Sequence, residues 1–156
     1  IGQLTQQAGD DPWLLLQERG TFAIQQRQPE VAIEAFQQLL EQNPTSAEAW
    51  NGLGQAYRQL GDDTKRKKAQ SMATALGRIQ NHLGKAIQEP DNIETFLKIA
   101  EICLEVDLVS EGMLMTRCAQ RIAPTDKRVL TSFQKFQALK NSKSTPSESL
   151  TEDAVR

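Results

Sequence analysis

The 156-residue chain carries 18 lysines and arginines against 20 aspartates and glutamates, and its net charge is −2 with the single histidine neutral. This balance gives no general attraction to nucleic acid or to an anionic membrane, and no apolar run approaches the roughly 20 residues of a membrane span. The length is sufficient for a domain with its own core, and the helical periodicity favours a folded α-protein over a disordered chain.

The first two predicted helices form a pair. One covers residues 13–26 and begins after Pro12, and the second covers 29–42 and begins at Pro29, positions where the missing N–H of proline is harmless. The second helix has apolar residues at the spacing of a buried stripe, namely Ala32, Ile33, Phe36, Leu39 and Leu40. Neither helix can bury its apolar side alone, so the pair must stack on neighbours.

The next helix carries a recognisable pattern, made by Trp50, Leu53, Gly54, Tyr57 and Gly61. A step back of 34 residues leads from Trp50 to Leu16 and from Gly54 to Gly20. The second half of that earlier unit supplies Ala32, Phe36, Leu39 and Pro44. The pattern resembles the tetratricopeptide repeat, which implies stacked helix pairs that bind other proteins rather than catalyse. Gly54 is expected to lie where two helices cross closely.

A departure from the 34-residue period follows. The next match begins near Ile93, 46 residues after the start of the preceding unit. The extra residues predict one long helix over 63–89, ended by Pro90 and carrying an apolar stripe. The stripe consists of Met72, Leu76, Ile79, Leu83 and Ile87. Because Gly77 and Gly84 each disfavour helix by about 1 kcal/mol, a break near Gly77 into two shorter helices is the alternative.

The predicted fold is an all-α, tetratricopeptide-like helical repeat array (an α-solenoid) with one extended helix and a C-terminal capping helix. The repeat domain is expected over 13–140, with residues 1–12 as the end of a preceding helix or a linker. Its parts are units 13–46, 47–92 with a 12-residue extension, and 93–126, then the capping helix 127–140. Residues 141–156, rich in Ser and Thr, are expected to form a disordered tail. Because the sequence begins without Met, we expect a piece or processed form of a longer protein.

Residues that support catalysis are scarce. The single histidine, His82, leaves no second residue for a His-based triad or a two-His metal site. Cys103 and Cys118 are expected to be too far apart for a disulfide, and two free, largely buried thiols favour a reducing, cytoplasmic compartment. We therefore expect no enzyme activity, no cofactor and no metal site.

One basic cluster stands out, formed by Lys65, Arg66, Lys67 and Lys68. The first expectation is a solvated helix start, and the alternative is contact with an acidic partner. Nucleic acid is the least expected ligand because no aromatic residues for base stacking are interleaved with these charges.

The resemblance also implies where a partner binds, because the first helix of each unit lines a concave face. The corresponding partner-binding residues here are Gln17, Thr21, Asn51, Gln55, Arg58, Glu94, Leu97 and Glu101. Amides and single charges of both signs suit a bound peptide. The family's clamp for chaperone C-termini needs two Lys, two Asn and an Arg. Those positions read Gln17, Thr21, Gly52, Glu94 and Lys98, which disfavours chaperone-tail binding.

The expected function is therefore a protein–protein interaction scaffold or adaptor module, which binds a peptide or partner protein in the concave groove. Self-association through the long helix 63–89, giving a homo-oligomer, is one alternative. The other is a regulatory domain of a larger enzyme.

Overall fold

The computed structural model describes residues 12–144, and these residues form seven helices and no strand. The helices are α1 (Pro12–Gln25), α2 (Pro29–Gln42), α3 (Ala47–Leu60), α4 (Asp63–Gln88), α5 (Ile93–Glu105), α6 (Val109–Ile122) and α7 (Lys127–Ser144). The predicted all-α helical repeat fold is confirmed. The expectations for residues 1–11 and 145–156 lie outside the described residues.

The chain divides into two compact units, Ile1–Arg78 and Ile79–Arg156, and the boundary falls within α4. Helix α4 is nevertheless continuous from Asp63 to Gln88, so the alternative of a break near Gly77 is wrong. Its remaining sequence is rich in Ala, Lys, Arg, Gln and Leu, which favour helix. Two glycines at about 1 kcal/mol each are insufficient to interrupt it.

The core of unit 1 is built on small side chains that let the helices approach closely. Its buried members are Ala23, Ala32, Phe36, Leu39, Ala49, Leu53, Ala56, Tyr57 and Ala69. The ring of Phe36 in α2 packs against Gly20 of α1 and Gly52 of α3. At Gly54 an added Cβ would meet Gln70 Cγ at 3.5 Å, an ordinary contact. The expectation that Gly54 marks the close crossing is therefore wrong, because the bulky ring lies over Gly52.

Unit 2 repeats this arrangement with α6 between α5 and α7. Phe136 of α7 is fully buried and its ring packs against Gly112 of α6. Helix α7 continues to Ser144, four residues beyond the predicted end at 140. The sequence allows this extension, since no proline or glycine lies between Lys127 and Ser144.

The same left-handed turn closes each helix pair. The residue with positive φ is Arg27 (54°) after α1, Gly61 (77°) after α3 and Asp107 (62°) after α5. In each turn, a backbone N–H just beyond this residue bonds a carbonyl in the last turn of the preceding helix, at 2.9–3.0 Å. These bonds satisfy carbonyls that would otherwise lack partners at the helix end.

Candidate partner-binding face

Helix α3 is fixed at both ends, which sets the direction of its exposed side chains. At its start, the Ser46 hydroxyl accepts a hydrogen bond from the Ala49 N–H at 3.2 Å. The Trp50 indole N–H donates to the Pro44 carbonyl at 2.9 Å. At its end, Gly61 adopts the left-handed conformation. The helix therefore presents one defined side to the core and another to solvent.

The solvent side of α3 carries Asn51, Gln55 and Arg58, three of the predicted partner-binding residues. All three are exposed, and their side chains make no hydrogen bond or ion pair within residues 12–144. An amide offers both donors and an acceptor, and a guanidinium offers five donors. These groups are therefore free to bind a partner.

Helix α1 contacts α3 and contributes the neighbouring part of this surface. Thr21 is exposed and its hydroxyl donates to the Gln17 carbonyl within α1 at 2.9 Å, while Gln17 is half-buried. Sequence reasoning missed Gln59, whose side-chain N–H donates to the Ile24 carbonyl at 2.9 Å. That bond ties α3 to the C-terminal end of α1. We call the surface formed by Gln17, Thr21, Asn51, Gln55 and Arg58 the α1–α3 face.

The corresponding residues of unit 2 have different surroundings. Glu94 of α5 forms an ion pair with Arg128 of α7, 34 residues later. Glu101 pairs with Lys98 at 3.0 Å, and Leu97 is half-buried. The charged side chains on α5 are therefore already paired within the unit.

Arg128 also makes the local contacts that begin α7. Its backbone N–H donates to Asp126 Oδ1 at 2.8 Å, and its guanidinium donates to the same carboxylate. Side-chain hydrogen bonds from Arg128 are the main cause that lowers the pKa of Asp126. The hydrogen bonds with Asp126 and then with Glu94 raise the pKa of Arg128. The Arg128 guanidinium therefore already donates hydrogen bonds to two carboxylates, those of Asp126 and Glu94.

The apolar stripe of α4 divides into a buried part and an exposed part. Leu76 is only 7% exposed, and Met72 and Ile79 are half-buried. Leu83 and Ile87 are 38% and 83% exposed. The expectation that the whole stripe is available for self-association is therefore wrong for Leu76, which lies on the same side of α4 as the buried Ala69 and Ala73.

Both cysteines are free, as predicted, with Cys103 buried and Cys118 partly buried. Burial, and secondarily the charge of Glu111, raises the pKa of Cys103 to about 11. The reactive thiolate form is thus absent at neutral pH. Among residues 12–144, no three His, Cys, Asp or Glu side chains come together as metal ligands would. No helix in this part of the chain is long and apolar enough to span a membrane.

Residues 18–65, which run from α1 into the first turn of α4, match the family model of the tetratricopeptide repeat. This segment is similar to a tetratricopeptide repeat. It contains both glycines that Phe36 contacts and the exposed residues of α3. No curated protein sequence matches the chain.

Solved tetratricopeptide domains are similar to this chain at low identity. The first such domain of human RPAP3 is 16% identical, with a TM-score of 0.41, and the match covers 87% of this chain and 100% of that one. The first such domain of Spaghetti (RPAP3), bound to the HSP90 peptide SRMEEVD, is also 16% identical, with a TM-score of 0.41 and coverage of 82% and 93%. The Arabidopsis OM64 domain is 14% identical, with a TM-score of 0.38 and coverage of 81% and 95%.

Proposed function

We propose that the protein is an interaction module that binds a peptide or a partner protein on the α1–α3 face. Asn51, Gln55 and Arg58 carry the proposal, because they are exposed on a rigid helix and lack side-chain partners among the described residues. Amide groups suit the backbone of an extended peptide, and the guanidinium suits a carboxylate. The tetratricopeptide segment 18–65 includes all three residues.

The contrast with unit 2 supports the choice of unit 1. A partner that recruits Glu94 or Glu101 must first compete with Arg128 or Lys98. A partner that recruits Arg58 displaces only water. An exposed ion pair stabilises by at most about 1 kcal/mol. Breaking an existing pair with Arg128 or Lys98 would therefore cancel most of the free energy that a new pair with the partner provides. We therefore expect the larger share of the binding energy in unit 1.

The test is capture of partners from a native extract, with wild type compared with the double variant Asn51→Glu, Arg58→Glu. The matched control is Asn81→Glu, Arg121→Glu, which replaces the same residue types at exposed positions outside the α1–α3 face. Circular dichroism must show the same helix content for all three proteins. The captured protein is then titrated against each of them.

We expect one protein to be held by the wild type and by the control, and at least tenfold weaker binding by the α1–α3 face variant. Binding by the α1–α3 face variant that is as tight as binding by the wild type would exclude this face as the binding surface. Equal loss in both would mean that net charge alone controls capture, since each variant changes the charge by the same amount.

A second candidate function is self-association through the exposed end of α4. Ile87 is 83% exposed and Leu83 lies one turn before it at 38%, so the two side chains form an exposed apolar pair on one side of α4. A second copy of this helix would bury both side chains. Light scattering decides between a monomer and a dimer, and Ile87→Glu must abolish any dimer that forms through this end.

A further inference from the structure

A groove in unit 1 lies apart from the α1–α3 face. It has a volume of about 650 Å³ and is formed by α2, α3 and the first part of α4. Its accessible apolar lining is supplied by Leu40, Pro44 and Trp50, and the core residues Leu53, Tyr57 and Ala69 lie beneath them with 9% or less of their surface exposed. Its polar lining consists of Gln37, Glu41, Lys65 and Lys68. An apolar floor with a few charged groups at the rim is the usual composition of a binding site.

The groove occupies a different side of α3 from the proposed partner residues. Trp50, Leu53 and Tyr57 are spaced i, i+3, i+7 and line the groove. Asn51, Gln55 and Arg58 are exposed and none of them lines the groove. At 3.6 residues per turn the two sets lie roughly 100° or more apart around the helix. A ligand in the groove would therefore leave the α1–α3 face open.

The basic cluster at the start of α4 is divided by its contacts. Lys65 pairs with Asp62 at 3.2 Å, and its ammonium lies 5.5 Å from the centre of the Tyr57 ring. Arg66 pairs with Asp63 at 2.9 Å. Lys67 and Lys68 have no ion pair within the described part of the chain. Of these two, only Lys68 lines the groove.

Lys68 therefore supplies an uncompensated positive charge beside the apolar floor. The charge of Lys65 is offset by Asp62, and the pKa of Asp62 is lowered mainly by the hydrogen bond from the Lys65 backbone N–H. Glu41 lies on the α2 wall, also without an ion pair among residues 12–144. The groove is thus basic at the α4 wall and acidic at the α2 wall, so a charged ligand would bind in one orientation.

We propose that this groove is a second docking site, whose occupant is a short acidic–apolar peptide segment of a partner protein. A carboxylate of the peptide faces Lys68, and an apolar side chain lies on the partly exposed Trp50 and Leu40. Glu41 disfavours a second carboxylate at the opposite end. We infer an acidic occupant because its carboxylate would complement the charge of Lys68. We infer an adjacent apolar residue because apolar side chains line the groove next to Lys68.

The experiment uses the full chain and an array of synthetic nine-residue peptides on a Gly–Ser background. Each peptide carries one Glu and one Leu or Phe, separated by zero to four residues. Matched peptides replace Glu by Gln or replace the apolar residue by Ser. The strongest binder is titrated against ¹⁵N-labelled protein, with the Trp50 indole N–H as the reporter. Trp13→Phe assigns that resonance, because Trp13 and Trp50 are the only two tryptophans.

The decisive variants are Lys68→Gln and its neighbour Lys67→Gln. Both residues are exposed and lie in the same helix, so we expect both substitutions to preserve the fold. Each substitution also removes one positive charge. We expect the wild type to bind the Glu peptide about fivefold more tightly than the Gln peptide, the preference that one exposed charge pair supplies. Lys68→Gln must lose this preference and Lys67→Gln must keep it. Lys68→Glu must prefer a Lys-containing peptide.

Three outcomes would overturn the proposal. One is that no peptide shifts the Trp50 resonance at millimolar concentration. Another is that the preference for Glu survives in Lys68→Gln, and the third is that Lys67→Gln abolishes it equally. Because Asn51 and Gln55 side-chain amide resonances are recorded in the same spectra, binding at the α1–α3 face is seen separately. Failure of one site is thereby distinguished from failure of the other.

Discussion

The ring of Phe36 in α2 occupies the space that a Cβ on residue 52 of α3 would need. A Cβ on Gly20 of α1 would lie 2.8 Å from the same ring. Phe36 is only 4% exposed, so its ring is held between two glycines on two helices. This contact joins α1, α2 and α3 and thereby positions the side chains of the α1–α3 face.

We expect Gly52→Ala to lower the free energy of unfolding. The added methyl group overlaps the Phe36 ring, and the ring has little room to adjust because it is 4% exposed and also packs against Gly20. Overpacking of this kind costs about 1–3 kcal/mol, and the better helix propensity of alanine returns about 1 kcal/mol. Urea unfolding followed by circular dichroism should give a net loss of up to about 2 kcal/mol.

Gly54→Ala is the matched control, because it lies in the same helix but its Cβ would make only ordinary contacts at 3.5 and 3.9 Å. It should be neutral or slightly stabilising. Combining Gly52→Ala with Phe36→Leu should recover part of the loss relative to the two single changes added together. Additive effects would show that the ring is not the obstacle.

The two glycines also show what a sequence pattern can and cannot predict. The 34-residue spacing between Gly20 and Gly54 identifies the repeat, since both positions belong to its pattern. The position of the Phe36 ring depends instead on the rotation of α2 against α3. That rotation is a tertiary property, and the repeat spacing therefore favoured Gly54 although the ring lies against Gly52.

Alanine at Gly77 or Gly84 should stabilise the protein. Both glycines lie inside α4, and a Cβ at either one would meet no atom within 4 Å. Each substitution gains helix propensity and reduces the freedom of the unfolded chain, worth about 0.5–1 kcal/mol. Thermal unfolding should show a higher midpoint for each variant and a nearly additive gain for the double variant. A lower midpoint would mean that these residues contact something in solution.

The two cysteines should differ in reactivity. Cys103 is fully buried and its pKa is about 11, whereas Cys118 is partly exposed to solvent. At pH 8 a thiol-reactive dye should modify one thiol per folded chain, at Cys118. Cys103 should react only when the chain unfolds. Peptide mapping after labelling identifies the modified residue, and equal labelling of both thiols would contradict the burial of Cys103.

Cys103 should also make stability depend on pH in the alkaline range. In the unfolded chain the thiol ionises near its ordinary pKa of 9.0, while in the folded chain it stays protonated up to about 11. Between these values the unfolded state binds fewer protons, so stability falls as pH rises. The loss should reach up to about 2 kcal/mol. Cys103→Ala, which keeps the Cβ, should lack this alkaline loss of stability. If the free energy of unfolding of both proteins changed with pH in the same way, Cys103 would not be its cause.

The ion pair between Glu94 and Arg128 should contribute little to stability. Their side chains are 65% and 56% exposed, and exposed pairs are worth about 0.5 kcal/mol. A double-mutant cycle with Glu94→Gln and Arg128→Gln isolates this coupling from the contact of Arg128 with Asp126. The coupling should decline toward zero in 1 M NaCl. A coupling well above about 1 kcal/mol would show that the pair is shielded from solvent.

This pair illustrates a site feature that the sequence contains but does not reveal. Glu94 and Arg128 are 34 residues apart, which is the repeat period, so they occupy equivalent positions in α5 and α7, with α6 between them in the chain. Their opposite charges therefore predict a contact. The sequence prediction gave Glu94 as a partner-binding residue because it considered each helix alone. It did not consider Arg128, which α7 places beside Glu94. Periodicity predicted the helices well, whereas the side-chain partners required the packing.

Leu76→Glu should destabilise the protein and Ile87→Glu should not, although both residues belong to one apolar stripe of α4. Leu76 is 7% exposed, so a carboxylate there loses its hydration, and we expect a loss of about 3 kcal/mol or more in unfolding experiments. Ile87 is 83% exposed, so its substitution should leave stability within about 0.5 kcal/mol. Only Ile87→Glu is therefore a valid variant for light scattering. A dimer that survives Ile87→Glu in a fully folded protein would exclude self-association through this end of α4, and similar stability of both variants would contradict the burial of Leu76.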